Sequence, residues 1–441
     1  TGNLKYDVSL PPGLAEEGEA IRAAWGAQRP VLVAGSTHER EEAVILDAFR
    51  GVLAAFPDAL LVLVPRHPER FARAAQAART GGLEVALHSA GATSSAGAQC
   101  FVVDAMGELL RYYADVSGKP NRFKIITRER AYHGVTLAAG SLTSLPANAA
   151  HFQPPLEALG ILRTDAPHYY RGALTGESEA DFVDRITGNL ERLILDEGPE
   201  TIAAFLAEPV TGASGVIVPP EGYYAKVQAI LKKYDILFIA DEVITGFGRT
   251  GNDFGCTTMD IRPDMMTLAK QLSSAYFPIS AAVLPGWMHE AMVEPSAKVG
   301  AFGHGYTYSG HPVGCAAALK TLEIFERDRV FEHAAAVGAY LQERLRRFTD
   351  HPLVGEVRGV GLIAGIELVA DKASKQPFES GAVGAEAQKA CQDAGLIVRA
   401  LGNTVAVCPP LIITEAQIDE MVEGLQKGLD ATLEFVRKEG L

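Results

Sequence analysis

The sequence predicts an α/β protein with helices on the faces of parallel sheets, ending in a small C-terminal α+β domain. Three observations point there. Short apolar runs alternate with helix-spaced segments up to about residue 116. The alternation resumes near Lys124, and after Arg329 the texture changes to long helices around one strand-like run. Regular strand–helix alternation favours parallel pairing with crossover helices.

The elements follow in order. "RPVLVAG" at residues 29–35 is a short apolar run ending in glycine, which reads as a buried strand. In "STHEREEAVILDAFRGVLAAF", Ser36 and Glu39 have capping-box spacing. Val44, Leu46, Phe49, Val52, Leu53 and Phe56 recur there at roughly helical spacing. "ALLVLVP" is a second strand, Pro68 can open the next helix, and "LEVALH" and "CFVVD" are further strands. From Lys124, "KIIT", "IAAFLAEP", "ILFIADE", "MMTLAK" and "PISAAVL" are candidate strands, and "PEGYYAKVQAILKKY" is a helix between two of them. "GEVRGVGLIAGIEL" is strand-like, and the final helix opens at Thr414 and Gln417, again with capping-box spacing.

Bulk properties narrow the function. At about 150 residues per domain, 441 residues suggest three domains. Apolar content of 48% with 21% charged residues fits a globular core. A net charge of −14 argues against a general nucleic-acid surface and leaves room for a local anion pocket. Cys100, Cys256, Cys315, Cys391 and Cys408 are scattered and form no CxxC pair. That argues against a disulfide framework or a metal site and for a reducing, cytoplasmic setting. No apolar run approaches the ~18 residues of a membrane span, and no signal peptide is evident. The first residue is Thr1, so a trimmed or partial product is expected.

The chemistry concentrates between Glu208 and Lys270. "ILFIADEVITGFGRTG" puts Asp241 just after an apolar strand, and "PDMMTLAKQLSSAYFPISA" puts Lys270 at the end of another. Ligands of open α/β sheets sit at the carboxyl ends of strands. Taken singly, each residue has a plainer reading. Lys270 would be solvated, Asp241 a turn or helix cap, Tyr132 packing, Thr307 a loop hydroxyl, Arg399 an exposed charge, and Glu208 a strand end before Pro209.

Together with "FLAEPVTG", "AYHG", "GYTYSGHPVGCAAAL" and "GLIVRALGNTVAVCPPLIIT", these stretches resemble the class III aminotransferases. That family comprises pyridoxal 5'-phosphate (PLP) enzymes of fold type I and includes the omega-transaminases. The resemblance runs from about Leu110 to Leu441. An aldehyde cofactor needs a lysine amine to condense with, and the resemblance assigns that task to Lys270. It implies that Asp241 keeps the pyridine nitrogen protonated, as a neighbouring carboxylate does. It places Val243 on one ring face and Tyr132 on the other, with His133 beside it. Thr307 would hold the cofactor phosphate across a homodimer interface. Arg399 would pair with a substrate carboxylate, for which a planar fork is suited. Glu208 would sit near the ring and the substrate.

The first ~116 residues resemble another family. "TGNLKYD", "STHEREE", "VPRHPERF" and "DAMGELLRYYADV" are similar to 3-deoxy-D-manno-octulosonic acid (Kdo) transferases, built from two Rossmann-like domains of the GT-B type. The resemblance implies that Arg66, Met106, Gly107 and Glu108 contact CMP; a guanidinium and a helix start both attract phosphate. Without it, "PRHPERF" is a basic helix entry. The acceptor domain and the later part of the donor domain are absent, so no glycosyl transfer is expected. "GELLRYYADV" suits both families, so the joint is expected within it as a helix. The implied division is 1–116 partial Kdo-transferase-like segment, 117–328 PLP-binding large domain (incomplete at its N-terminal side), and 329–441 small domain.

The fusion has a chemical cost. "QCFVVDAMGE" stands where the aminotransferases carry a serine-glycine-serine-type turn for the cofactor phosphate. Losing two or three charge-assisted hydrogen bonds costs roughly 3–9 kcal/mol, so weak PLP binding is expected. Three functional readings follow. The first is a transaminase moving an amino group from an amine or omega-amino acid to a keto acid such as pyruvate. The second is a Kdo transferase remnant binding CMP-Kdo, and the third an inactive chimera.

Overall fold

The computed structural model describes residues 29–37, 39–65, 71–87, 100–102, 114, 117–146, 148, 150, 159–298 and 309–441. The chain divides into two units, each taken by itself. One comprises Thr1–Pro120, Thr136–Ala138 and Trp287–Gly305; the other comprises Asn121–Val135, Ala139–Gly286 and Tyr306–Leu441.

The first unit contains a four-stranded parallel sheet. Its strands are β1 (Val31–Thr37), β2 (Leu60–Pro65), β3 (Val85–Leu87) and β4 (Cys100–Val102), in the order β1-β2-β4-β3. The expected strands are all present. The helix Glu39–Ala55 buries Leu46 and Phe49 against Leu61 and Leu63 of β2 and against Ala74, Ala75 and Ala78 of the helix Phe71–Thr80. Val44 and Phe56, counted with that apolar face, are exposed. Ser36 is not the cap of this helix: it lies within β1, and the helix begins only at Glu39. Pro68 and nearly all of the helix expected through residues 110–116 lie outside the described residues.

The second unit is built on a six-stranded sheet. Its strands are β5 (Lys124–Arg128), β6 (Ile161–Thr164), β7 (Ile202–Ala207), β8 (Leu237–Asp241), β9 (Met265–Leu268) and β10 (Ala281–Val283). The order is β10-β9-β8-β7-β5-β6. All six residues of β7 are buried, as a central strand covered on both faces requires. Two crossover helices cover the sheet. Glu179–Glu197 is capped by Ser178, whose hydroxyl accepts from the Asp181 N–H, and buries Phe182, Val183, Ile186, Leu190 and Ile194 at helical spacing. Tyr223–Lys233 buries Tyr223, Tyr224, Val227 and Leu231.

Two features depart from the sequence reading. β10 runs antiparallel to β9, so the sheet is mixed. β6 went unanticipated: "ILRT" is four residues long, with two polar members and no clear alternation.

The C-terminal part of this unit is an antiparallel sheet of β11 (Val354–Val360), β12 (Ile363–Leu368), β13 (Arg399–Leu401) and β14 (Thr404–Val407), in the order β11-β12-β14-β13. The single strand-like run read as "GEVRGVGLIAGIEL" is a hairpin. It turns at Gly361 (φ +55°), where a Cβ would lie 2.4 Å from the Thr250 carbonyl carbon. Helices Val330–Arg346, Ala382–Asp393 and Glu415–Glu439 cover the sheet around Leu341, Ile366, Val405 and Leu425. The capping box at Thr414 and Gln417 is present as expected.

Candidate active site

Two neighbouring strands deliver the central pair. β8 and β9 run parallel, with Asp241, the last residue of β8, opposite Thr267 of β9. Lys270 follows two residues after β9 and opens a single 3-10 turn, Lys270–Ser273. Its backbone is left-handed at φ +46°, a conformation that side-chain-bearing residues avoid. Both groups therefore stand at the carboxyl ends of adjacent parallel strands, where sheet topology leaves a crevice.

Asp241 is held on three sides. Its Oδ2 lies 2.7 Å from His133 Nδ1; its Oδ1 accepts from the Val243 N–H at 3.1 Å and from the Thr267 hydroxyl at 3.2 Å. An ionised carboxylate only accepts, so His133 Nδ1 carries the proton. The far ring nitrogen, Nε2, lies 3.3 Å from the Thr127 hydroxyl on β5. The His133 backbone N–H donates to Thr143 Oγ1 at 2.9 Å, which fixes the loop after β5. Asp241 is thus a buried, oriented acceptor, and His133 is one of the groups that hold it.

Glu208 follows β7 and is buried. Its main-chain carbonyl accepts from Arg128 Nη2 and from the Tyr224 hydroxyl, each at 2.7 Å. Its side-chain Oε2 has no hydrogen-bond partner. Burial, and then the nearby Asp241 charge, push its carboxyl up to about 8 against the opposing effects of Arg128, the Gly212 N–H and Lys270. The Lys270 ammonium is held below the usual lysine value by burial, with Asp241, Glu208 and Cys408 opposing. Asp241 and Glu208 thus both bear on the Lys270 ammonium.

A cavity of about 1560 Å³ is lined by Tyr132, Val243, Lys270 and Arg399, while Asp241, His133 and Glu208 are not among its lining residues. Arg399 enters from the small sheet, at the start of β13. Thr307 lies outside the described residues, as do Arg66, Met106, Gly107 and Glu108.

The structure adds a group that no motif announced. Arg130, His168 and Arg171 meet Glu356, Arg358 and Glu367 of the small sheet. Arg358 also donates to the carbonyls of Gly215 and Val216, at 2.9 and 3.1 Å through Nε. One signal was available: Glu356 and Arg358 alternate along a strand and so share a face.

This lysine–aspartate pair on a mixed α/β sheet, under a basic cavity shared with a small antiparallel sheet, defines the class. Residues 74–429 match the family Aminotransferase class-III, and the chain belongs to that family. The match begins upstream of Leu110, where the recognised motifs start. The chain is 46% identical over 334 residues to a protein of Oryza sativa subsp. indica named "Probable gamma-aminobutyrate transaminase 3, mitochondrial", covering 76% of this chain and 65% of that one. It is 47% identical over 330 residues to "Gamma aminobutyrate transaminase 3, chloroplastic" of Solanum lycopersicum, covering 75% of this chain and 63% of that one. The chain therefore spans just under two thirds of these relatives' length. A solved structure described as "Transaminase with L-ala" superposes with a TM-score of 0.73 at 52% identity, over 75% of this chain and 77% of that one. The omega transaminase from Pseudomonas jessenii in complex with PMP does so with a TM-score of 0.73 at 50% identity, over 75% and 72%.

The fold is accordingly that of the fold type I aminotransferases, and the family's cofactor is PLP. The residues present fit it: an amine on the cavity wall, an anchored carboxylate for a ring nitrogen, and an unpartnered buried carboxyl oxygen beside them.

Proposed function

We propose that this chain is a transaminase that moves an amino group from an amine or omega-amino acid donor to a keto acid such as pyruvate. The observation that carries the reading is the placement of Lys270 and Asp241 at adjacent strand ends, within each other's electrostatic reach. Bound there, PLP supplies an aldehyde and a ring that accepts electrons as a substrate C–H proton leaves. Lys270 Nζ is the amine to hold it and, when released, the group to carry the proton. Its lowered basicity raises the share of neutral amine able to accept one. Asp241, oriented by His133 and Thr267, would be the carboxylate to favour a protonated ring nitrogen. Tyr132 and Val243, on the cavity wall, would confine a flat ring, and Arg399 would take a substrate carboxylate. Glu208, protonated over much of the neutral range, offers a hydrogen bond rather than a second negative charge.

The test is product formation. The chain incubated with PLP, an omega-amino acid and pyruvate is expected to form alanine, and Lys270→Ala to form none. Absence of alanine across a panel of amine donors overturns the reading.

A homodimer belongs to this proposal, supported by the exposure of Tyr276, Val313, Leu319 and Leu322. So does a reducing, cytoplasmic setting. The free thiols Cys256, Cys315, Cys391 and Cys408 support it, and among the described residues no helix is long and apolar enough to cross a membrane.

A second reading concerns residues 1–116 as a Kdo-transferase-like segment that binds CMP-Kdo. The parallel order β1-β2-β4-β3 with helices Glu39–Ala55 and Phe71–Thr80 is compatible with it, although residues from 74 on match the class III family. CMP is expected to protect this segment from proteolysis, and unchanged cleavage with CMP or CMP-Kdo contradicts it.

A further inference from the structure

The loop between β7 and the helix Tyr223–Lys233 forms one wall of the cavity, through Gly212, Ala213, Ser214 and Val216. Thr211 and Ile217 close it by exchanging backbone hydrogen bonds, at 3.0 and 2.9 Å. Inside that bridge the Gly212 carbonyl accepts from the Gly215 and Val216 N–H groups, at 3.3 and 3.2 Å. The turn is a costly one. Val216 has φ +56°, a left-handed conformation that a β-branched residue rarely adopts, and Gly215 before it has φ +106°. Such a backbone persists only where its surroundings over-determine it.

Arg358 of β11 does this. Its Nε lies 2.9 and 3.1 Å from the Gly215 and Val216 carbonyl oxygens. Its Nη2 lies 2.6 Å from the Gly215 oxygen and 3.4 Å from Thr404 Oγ1. Its Nη1 is held by Glu356 at 2.5 Å and by Glu367. All three guanidinium nitrogens are committed, and the side chain is buried. The register partner of Arg358 on β12 is Gly365. A Cβ there would lie 2.7 Å from the Gly215 carbonyl oxygen, so the glycine lets the loop rest on the sheet. A planar fork can serve two carbonyls and two carboxylates at once, whereas an ammonium cannot.

A second link runs from the loop to the buried acid. The Gly212 N–H donates to the Glu208 carboxyl and favours its charged form, against burial and the Asp241 charge. Arg128 and Lys270 act on Glu208 in the same direction as Gly212. The Tyr224 hydroxyl donates to the Glu208 main-chain carbonyl instead.

We propose that Arg358 is a positioning residue: its guanidinium fixes the 212–216 wall of the cavity through two backbone carbonyls and thereby aims the Gly212 N–H at the Glu208 carboxyl. The inference concerns the chain without cofactor and goes beyond the transaminase reading, on which it does not depend.

Both halves are read on the full chain without PLP or substrate. Amide hydrogen exchange followed by mass spectrometry reports on residues 211–217. Infrared difference spectra against Glu208→Gln report the pH at which the Glu208 carboxyl loses its proton. Arg358→Gln is expected to speed exchange in the loop about tenfold or more while the core of helix Glu179–Glu197 keeps its rate. It is also expected to raise the Glu208 midpoint by about one pH unit, the effect of one hydrogen bond to a charged acceptor. Arg358→Lys keeps a charge beside Glu356 and Glu367 without the fork, and is expected to recover part of both effects. Val216→Ala keeps the guanidinium and is expected to leave loop exchange and the Glu208 midpoint as they are, because the grip is on backbone carbonyls. Should Arg358→Gln fail to fold, Arg358→Lys and Val216→Ala decide the matter. A loop loosened by Val216→Ala is held by packing, which overturns the proposal. So does unchanged loop exchange in the Arg358 variants, acceleration spread evenly over the unit, or an unmoved Glu208 midpoint.

Discussion

Asp241 and Glu208 are two buried carboxyls with opposite surroundings. Asp241 accepts three hydrogen bonds, whereas Glu208 keeps one oxygen unpartnered. A pH dependence follows for Glu208. Its folded value of about 8 lies above the ordinary 4.5, so between those limits the folded state binds the extra proton. Stability is therefore highest below about pH 4.5 as far as this group goes. It falls as pH rises to about 8, with a slope of at most about 1.4 kcal/mol per pH unit. Glu208→Gln is expected to flatten this contribution; urea midpoints of both proteins at pH 6 and pH 9 check it, and an unchanged difference contradicts it. For Asp241, replacement by Asn keeps an acceptor for His133 and removes the charge. PLP is expected still to bind while turnover falls on the order of 10²-fold. Full turnover in that variant would mean the charge faces no ring nitrogen.

These residues were legible in sequence to different degrees. Lys270 and Asp241 each end an apolar run, which placed them at strand ends, but their roles came only from the resemblance to the class III aminotransferases. His133 was named, but its bond to Asp241 spans more than a hundred residues and leaves no local pattern. His168 was missed for the same reason, since its partners Glu356 and Glu367 arrive with β11 and β12, and Arg130 with it, since its partner is His168.

At the scale of elements, local rules worked where the signal was local. The Thr414 cap is an example: the hydroxyl accepts from the Gln417 N–H while the Gln417 side chain returns to the Thr414 N–H at 3.0 Å. Thr414→Ala is expected to cost about 1 kcal/mol, read as a lower urea midpoint with an unchanged slope. Gly428 makes a second test, since a Cβ there would lie 2.3 Å from Cys391 Sγ on the facing helix. Gly428→Ala is expected to destabilise more than Thr414→Ala, because a close-packed helix pair must separate. Where the signal was not local, the sequence misled. Ser36 has cap spacing but lies in β1, at the register shift between Gly35 and Thr37, which pair with β2. β10 has a strand's composition, yet nothing in "PISAAVL" shows that it reverses direction against β9.

At the scale of the whole molecule, the second unit holds the cavity and every described residue proposed to act on PLP. On the expectation that "QCFVVDAMGE" stands in place of a phosphate-binding turn, a PLP titration gives a dissociation constant well above micromolar. Submicromolar affinity would show that other groups supply the missing donors. The central claim is that the Lys270 amine meets the PLP aldehyde beside Asp241. The most direct measurement is the absorption spectrum of the chain with saturating PLP, before and after borohydride, followed by mass mapping of the reduced protein. A visible band that borohydride removes is expected, with the cofactor's mass fixed on Lys270 and both effects absent in Lys270→Ala. A colourless protein, or the label on another lysine, contradicts it.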